Sequence, residues 1–195
     1  MYTTANSTLH LHHISRIPLN GFTTVELMVT IAILAVLSAV AMPSFRPLFE
    51  RWHVLQTAEN LKSSLMLARS EAIKRGGRIV IQKIANKTDG CTTATNKTDW
   101  DCGWIVCDDS NNSGTCTKSD PVLQTVSAPR NVQVTRTGGA DTIKLNRWGL
   151  VDGALPSFSL VPLDQSTSNP AAKGLCMSSG GRIRIISSEE IPCTP

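Results

Sequence analysis

Hydrophobic positions follow three regimes along this chain. Between residues 22 and 42 they are nearly continuous, interrupted by Thr23, Thr24, Glu26, Thr30 and Ser38. At about 1.5 Å per residue that run covers roughly 30 Å, the hydrocarbon thickness of a bilayer. Farther on, apolar residues recur every three or four positions, at Phe45, Leu48, Trp52, Leu55, Ala58, Leu61, Leu65, Ala68 and Ala72. This spacing predicts one stripe of an amphipathic helix. Pro43 and Pro47 fall between the two regimes, but the helical pattern resumes at once. The expectation is therefore a kinked but single helix of about 50 residues. Gly76-Gly77 supplies its stop.

After Gly77 the period changes to that of strands. Eight short runs bounded by turn residues stand at 78–84, 103–107, 122–126, 131–136, 142–145, 157–161, 174–177 and 182–186. Segments 86–101 and 164–173 are polar loops rich in Thr, Ser and Asn. A long helix followed by short strands predicts an α+β fold with the helix packed on antiparallel sheet. The organisation read from this is a leader at 1–21, a membrane or filament-core half-helix at 22–43, an amphipathic half at 44–76 and a globular β domain at 77–195.

Charge adds little. The formal net charge is +4, and the first 21 residues hold one base, Arg16, and no acid. A mildly basic surface tolerates a polyanion without implying one. The six cysteines, Cys91, Cys102, Cys107, Cys116, Cys176 and Cys193, all follow the apolar run. An even number in an exported domain points to disulfides in an oxidising compartment, with sequence neighbours as the expected pairs: 91–102, 107–116 and 176–193. Zinc is disfavoured, since no pair has C-x2-C spacing and His53 is the only histidine after the first 21 residues. The same shortage of histidine argues against a Ser or Cys nucleophile with a base, so neither enzyme, cofactor nor metal is expected. Asp109-x-Asn111-x-Ser113-Gly114, with Asp120 beyond, imitates a calcium-loop register. Cys116 lies inside it, and a turn built on Asx geometry is the preferred reading.

Glu26 stands at the head of the apolar run, where an ionised carboxylate costs about 2.5–3.5 kcal/mol at a bilayer centre. A cut between Gly21 and Phe22 would make Glu26 the fifth residue. The new amino terminus would then lie within reach of the Glu26 carboxylate of a neighbouring copy, neutralising both charges. A plain signal anchor or a cleaved secretory peptide is the alternative, though no small-x-small cleavage site precedes a clear mature start. The block from Gly21 to Glu26 resembles the type III signal of type IV pilins and pseudopilins. Ala68-Arg69-Ser70-Glu71-Ala72-Ile73-Lys74-Arg75-Gly76, then Gly103-Trp104-Ile105-Val106, then Arg147-Trp148-Gly149, resemble the FimT/GspH-type minor pilins. The resemblance implies a type IV pilin-like fold and processing by a prepilin peptidase, with methylation at Phe22. It implies an inner-membrane precursor whose globular domain is periplasmic, and later a place in an extracellular pilus among other major and minor pilins. The polar insertion at 86–101 is longer than the resemblance leads one to expect.

Gly180-Gly181-Arg182-Ile183-Arg184 is the sharpest candidate for binding. In a strand, Arg182 and Arg184 share one face and Ile183 and Ile185 the other. Two guanidiniums about 7 Å apart suit successive phosphates. Gly-Arg-x-Arg also resembles the DNA-binding motif of the FimT branch, which implies sequence-nonspecific binding of double-stranded DNA for uptake. The competing reading is a solvated strand face on a structural minor pilin, or on a GspH-like pseudopilin of type II secretion. Lys144 and Arg147, with Arg130 and Arg136, are weaker candidates to extend the basic surface, with scattered solubilising charge an alternative of at least equal standing because the sequence does not fix their faces. Trp100, Trp104 and Trp148 could stack bases, with burial in the core as the default.

Overall fold

The computed structural model describes residues 21–193, and for 40–43 the backbone alone. The predicted leader thus lies outside the described residues except for Gly21. Two compact units divide the chain at Pro43/Ser44.

The first unit carries helix α1, Thr24–Ala41. Its N-terminus is closed by a reciprocal pair: Thr23 N–H donates to Glu26 Oε2 (3.0 Å) and Glu26 N–H to Thr23 Oγ1 (3.2 Å). Among the described residues no helix is long and apolar enough to cross a membrane.

The expected single helix is interrupted. A 3-10 helix, Met42–Phe45, separates α1 from α2, Arg46–Arg75. Pro47 falls in the first turn of α2, where a proline's missing N–H has no intrahelical partner to lose. It therefore opens a new helix rather than kinking an old one. Gly76 ends α2 in the left-handed region, at φ +73°, with its N–H on Ala72 O.

Eight strands follow among the described residues. One antiparallel sheet has the order β3-β2-β1-β5, the other β4-β6-β7-β8. The strands are β1 Ile79–Lys83, β2 Gly103–Asp108, β3 Val122–Ser127, β4 Val132–Arg136, β5 Thr142–Leu145, β6 Ser157–Pro162, β7 Lys173–Met177 and β8 Ile183–Ser187. Each coincides with a predicted run to within a residue or so at either end. Both sheets pack on α2 and share one core. Leu61, Leu65 and Ala68 of the helix meet Ile79, Trp104 and Ile143 of the first sheet and Val134, Phe158 and Leu175 of the second. Trp104 Nε1 donates to Ser64 Oγ (2.9 Å) inside this core.

The buried helix face begins only at Val54. Phe45, Leu48, Trp52 and Leu55, expected on the packed stripe, are exposed. Strands of four to six residues reach roughly 13–20 Å, whereas a 30-residue helix runs about 45 Å. The sheets therefore cover the C-terminal part of α2 and leave its first turns bare.

The 86–101 insertion is bound into the domain. Cys91–Cys102 closes it. The ammonium of the buried Lys83 donates to Ala94 O and Asn96 O. Trp100 enters the core, and its backbone N–H donates to Val134 O (2.8 Å). Cys107–Cys116 and Cys176–Cys193 are the other two disulfides.

Candidate functional site

β7 and β8 form a hairpin in which Met177 faces Ile183. Residues 178–182 make its turn. Ser178 N–H donates to Arg182 O (2.9 Å), Gly181 N–H to Ser178 O (2.8 Å) and Arg182 N–H to Ser178 Oγ (3.2 Å). Gly181 adopts φ +81°, and a Cβ there would stand 2.5 Å from Arg69 Nη2. The conformation selects glycine, and a Cβ there would displace the Arg69 guanidinium.

Past the turn, the side chains alternate. Ile183 and Ile185 pack on the core, while Arg182 and Arg184 are exposed. Arg182 sits just ahead of β8 rather than within it. Arg184 faces Cys176 across the ladder, so the Cys176–Cys193 bond lies on the sheet face from which Arg184 projects. A groove of about 360 Å³ opens beside it, lined by Leu155, Pro156, Ser178, Arg184 and that disulfide. Among the described residues neither guanidinium has a hydrogen bond or ion pair. The acids that follow, Glu189 and Glu190, lie past the far end of β8, where Glu190 accepts from Ser187 N–H (3.1 Å).

Arg69 of α2 positions this turn, a role the sequence pattern did not reveal. Its Nε donates to Gly149 O (3.0 Å) and its Nη1 to Gly181 O. One guanidinium thus ties the β7–β8 turn to the loop after β5. Asn146 shapes that loop, its Oδ1 accepting from Trp148 N–H (3.0 Å) and Leu150 N–H (3.2 Å). Arg147 and Trp148 stand at its tip, the Arg147 guanidinium carbon 5.9 Å from the Trp148 ring centroid. Trp148 is 70% exposed, unlike the fully buried Trp100 and Trp104. Burial as the default therefore holds for two of the three tryptophans and fails for the one on a loop tip.

The remaining basic candidates do not converge here. Arg136 is buried, and donates from Nη1 to Ala140 O (2.7 Å) and Thr142 O (2.6 Å) with its guanidinium over Trp100. It is a structural residue, which corrects its candidacy for the surface. Burial pushes its pKa down from the ordinary arginine value, against the opposing charge of Asp141. Arg130 is exposed but lines a groove with Trp52, His53 and Asn60, well before Arg69 along α2. The Lys144 ammonium rests on Gly114 of the Cys107–Cys116 hairpin. In that hairpin Asp109 accepts from Ser113 N–H (2.8 Å) and Gly114 N–H (2.6 Å). The Thr117 hydroxyl and backbone N–H, with Ser110, hold Asp120 below the usual carboxylate range. Both acids thus spend oxygens on the loop's own donors.

A long helix seated on antiparallel sheet is the architecture of a type IV pilin. Two crystal forms of the type IV minor pilin FimU from Pseudomonas aeruginosa (strain PAO1) share it. One is 21% identical over 74% of this chain and 96% of that one, with a TM-score of 0.55. The other is 20% identical over 72% and 98%, with a TM-score of 0.52. At that identity the likeness establishes the fold. The family model described as "Type II transport protein GspH" matches residues 57–181, and the chain belongs to this family of minor pilins and pseudopilins. Among curated proteins none matches the chain. The family match takes in Arg69, Gly149 and Gly181 and stops just short of Arg182.

Proposed function

We propose that this protein is a minor type IV pilin of the FimT branch that binds extracellular DNA through Arg182 and Arg184. The observation that carries this is the pair of exposed guanidiniums, free of acidic partners among the described residues, one at the end of a turn braced by Arg69 and one on β8 opposite the Cys176–Cys193 bond. Such a pair meets phosphates without first breaking an ion pair. Its contacts go to the backbone of the nucleic acid, so they carry no sequence preference. The partner is double-stranded DNA, taken up for natural transformation.

The same proposal includes a precursor cut between Gly21 and Phe22 by a prepilin peptidase and methylated at Phe22. The precursor is held in the inner membrane by 22–43 and then joins other pilins in an extracellular pilus. Glu26 is available for this, although in the isolated chain its carboxylate is engaged by Thr23. Exchanging that local cap for a neighbour's amine is the step expected on assembly. Glu26→Ala should insert in the membrane and be absent from sheared pili; normal incorporation would remove the charge-pairing step.

A second reading is favoured by one observation: the family match ends before Arg182. On that reading the protein is a structural subunit, a priming or tip pilin or a GspH-like pseudopilin of type II secretion. A gel mobility shift with the full chain in detergent micelles separates the two. Retardation of duplex DNA at low salt supports the first. No retardation at any protein concentration, with normal incorporation into filaments, supports the second.

A further inference from the structure

We infer that the nucleic-acid site has a second component, a stacking platform at Trp148 that takes an unpaired nucleobase. This rests on the phosphate-binding reading of Arg182 and Arg184. Trp148 offers a large indole face to solvent, where the other tryptophans of the β domain are wholly buried. Its loop is already ordered. Asn146 fixes the backbone on both sides of it, and Gly149, at φ +68°, sits against Ile73 and the Arg69 carbonyl, where a Cβ would come within 3.2 Å of that oxygen. Little backbone freedom remains to be lost on binding.

The surroundings specify the ligand. Arg147 lies beside the ring and supplies a cation next to the aromatic face. Arg69 holds this loop and the β7–β8 turn together through Gly149 O and Gly181 O, so the backbone that carries Trp148 and the turn that leads into Arg182 are tied to one side chain. An aromatic plane flanked by cations is the pairing that single strands require. Each base has a π-face to stack, and each phosphate a charge to neutralise. A fully paired duplex hides its base faces and can use only the arginines. The platform therefore adds affinity for single-stranded DNA, overhangs and frayed ends, without sequence preference.

The test uses the full chain in detergent micelles and three probes: an oligothymidylate, an abasic sugar-phosphate oligomer of the same length and charge, and a blunt duplex. Wild type should bind the oligothymidylate more tightly than the abasic strand. Trp148→Ala should weaken oligothymidylate binding by roughly 5- to 150-fold. It should leave abasic binding and the salt dependence unchanged, and Trp148→Phe should retain most of the affinity. Unchanged thermal unfolding would exclude a folding effect. Equal binding of oligothymidylate and abasic strand by wild type, with no loss in Trp148→Ala, would overturn the platform and leave the phosphate site standing. Binding of none of the probes would overturn both.

Discussion

β4 and β8 are the two edges of one sheet, and each carries an arginine that meets a different fate. On β4, Arg136 is 3% exposed, and its guanidinium serves backbone carbonyls and the face of Trp100. On β8, Arg184 projects into solvent with no partner among the described residues. What differs is the cover. The 86–101 insertion folds along β4, where Asp99 bridges Thr135 and Arg136 N–H donates to Thr98 O (2.8 Å). Among the described residues no further strand pairs with the outer edge of β8. An edge sealed by a loop turns its arginine into part of the core, and an uncovered edge leaves one in solvent. Arg75 is the intermediate case, partly exposed and paired with both Glu71 (2.8 Å) and Asp108 (2.9 Å).

The contrast predicts graded costs. Arg136→Met should lose about 3 kcal/mol in denaturant unfolding, because it strands buried carbonyls. Arg184→Ala should stay within about 0.5 kcal/mol of wild type. Equal costs would dissolve the distinction between the edges. Removing Cys176–Cys193 by a double Ser substitution should cost about 3 kcal/mol or slightly less on the chain-entropy estimate. Amide exchange should then rise first in β8 if the tail is what steadies that edge.

Arg69→Lys should cost roughly 1.5 kcal/mol, since an ammonium does not reproduce a fork on two carbonyls. Exchange should rise in both 146–149 and 178–182; a rise in one alone would show that the turns are not coupled. The smallest effect concerns the Arg75 corner. Hydrogen bonds from Arg75 and then Lys74 hold the Glu71 carboxyl below its ordinary value. A depressed carboxyl stabilises the fold above its unfolded pKa and loses that contribution as pH falls through the folded one. Melting temperature should therefore decline below about pH 4. Glu71→Gln should flatten the decline, while Arg182→Ala and Arg184→Ala should leave it unchanged.

Local signals explain why the strands were legible. Period two between turn residues fixes each run whatever packs on it, and Gly76 ends the helix by its own conformational freedom. The alternation of Ile183 and Ile185 against Arg182 and Arg184 is equally local. What escaped the sequence depends on distant partners. Phe45, Leu48, Trp52 and Leu55 have helical spacing, but the sheets do not extend far enough to cover them. Arg136 reads like any surface arginine until Trp100, 36 residues earlier, folds over it. The bridge from Arg69 joins residues 80 and 112 positions away, and no periodicity encodes that.

The most direct test of the DNA-binding proposal is the salt dependence of duplex binding by the full chain, wild type against Arg182→Ala with Arg184→Ala. For Z neutralised phosphates the log–log slope is about −0.9Z. The double variant should lose most of its affinity, and its slope should shrink in magnitude by up to roughly 2, with unfolding stability unchanged. Equal affinities and equal slopes would contradict the account and leave the structural-subunit reading in its place.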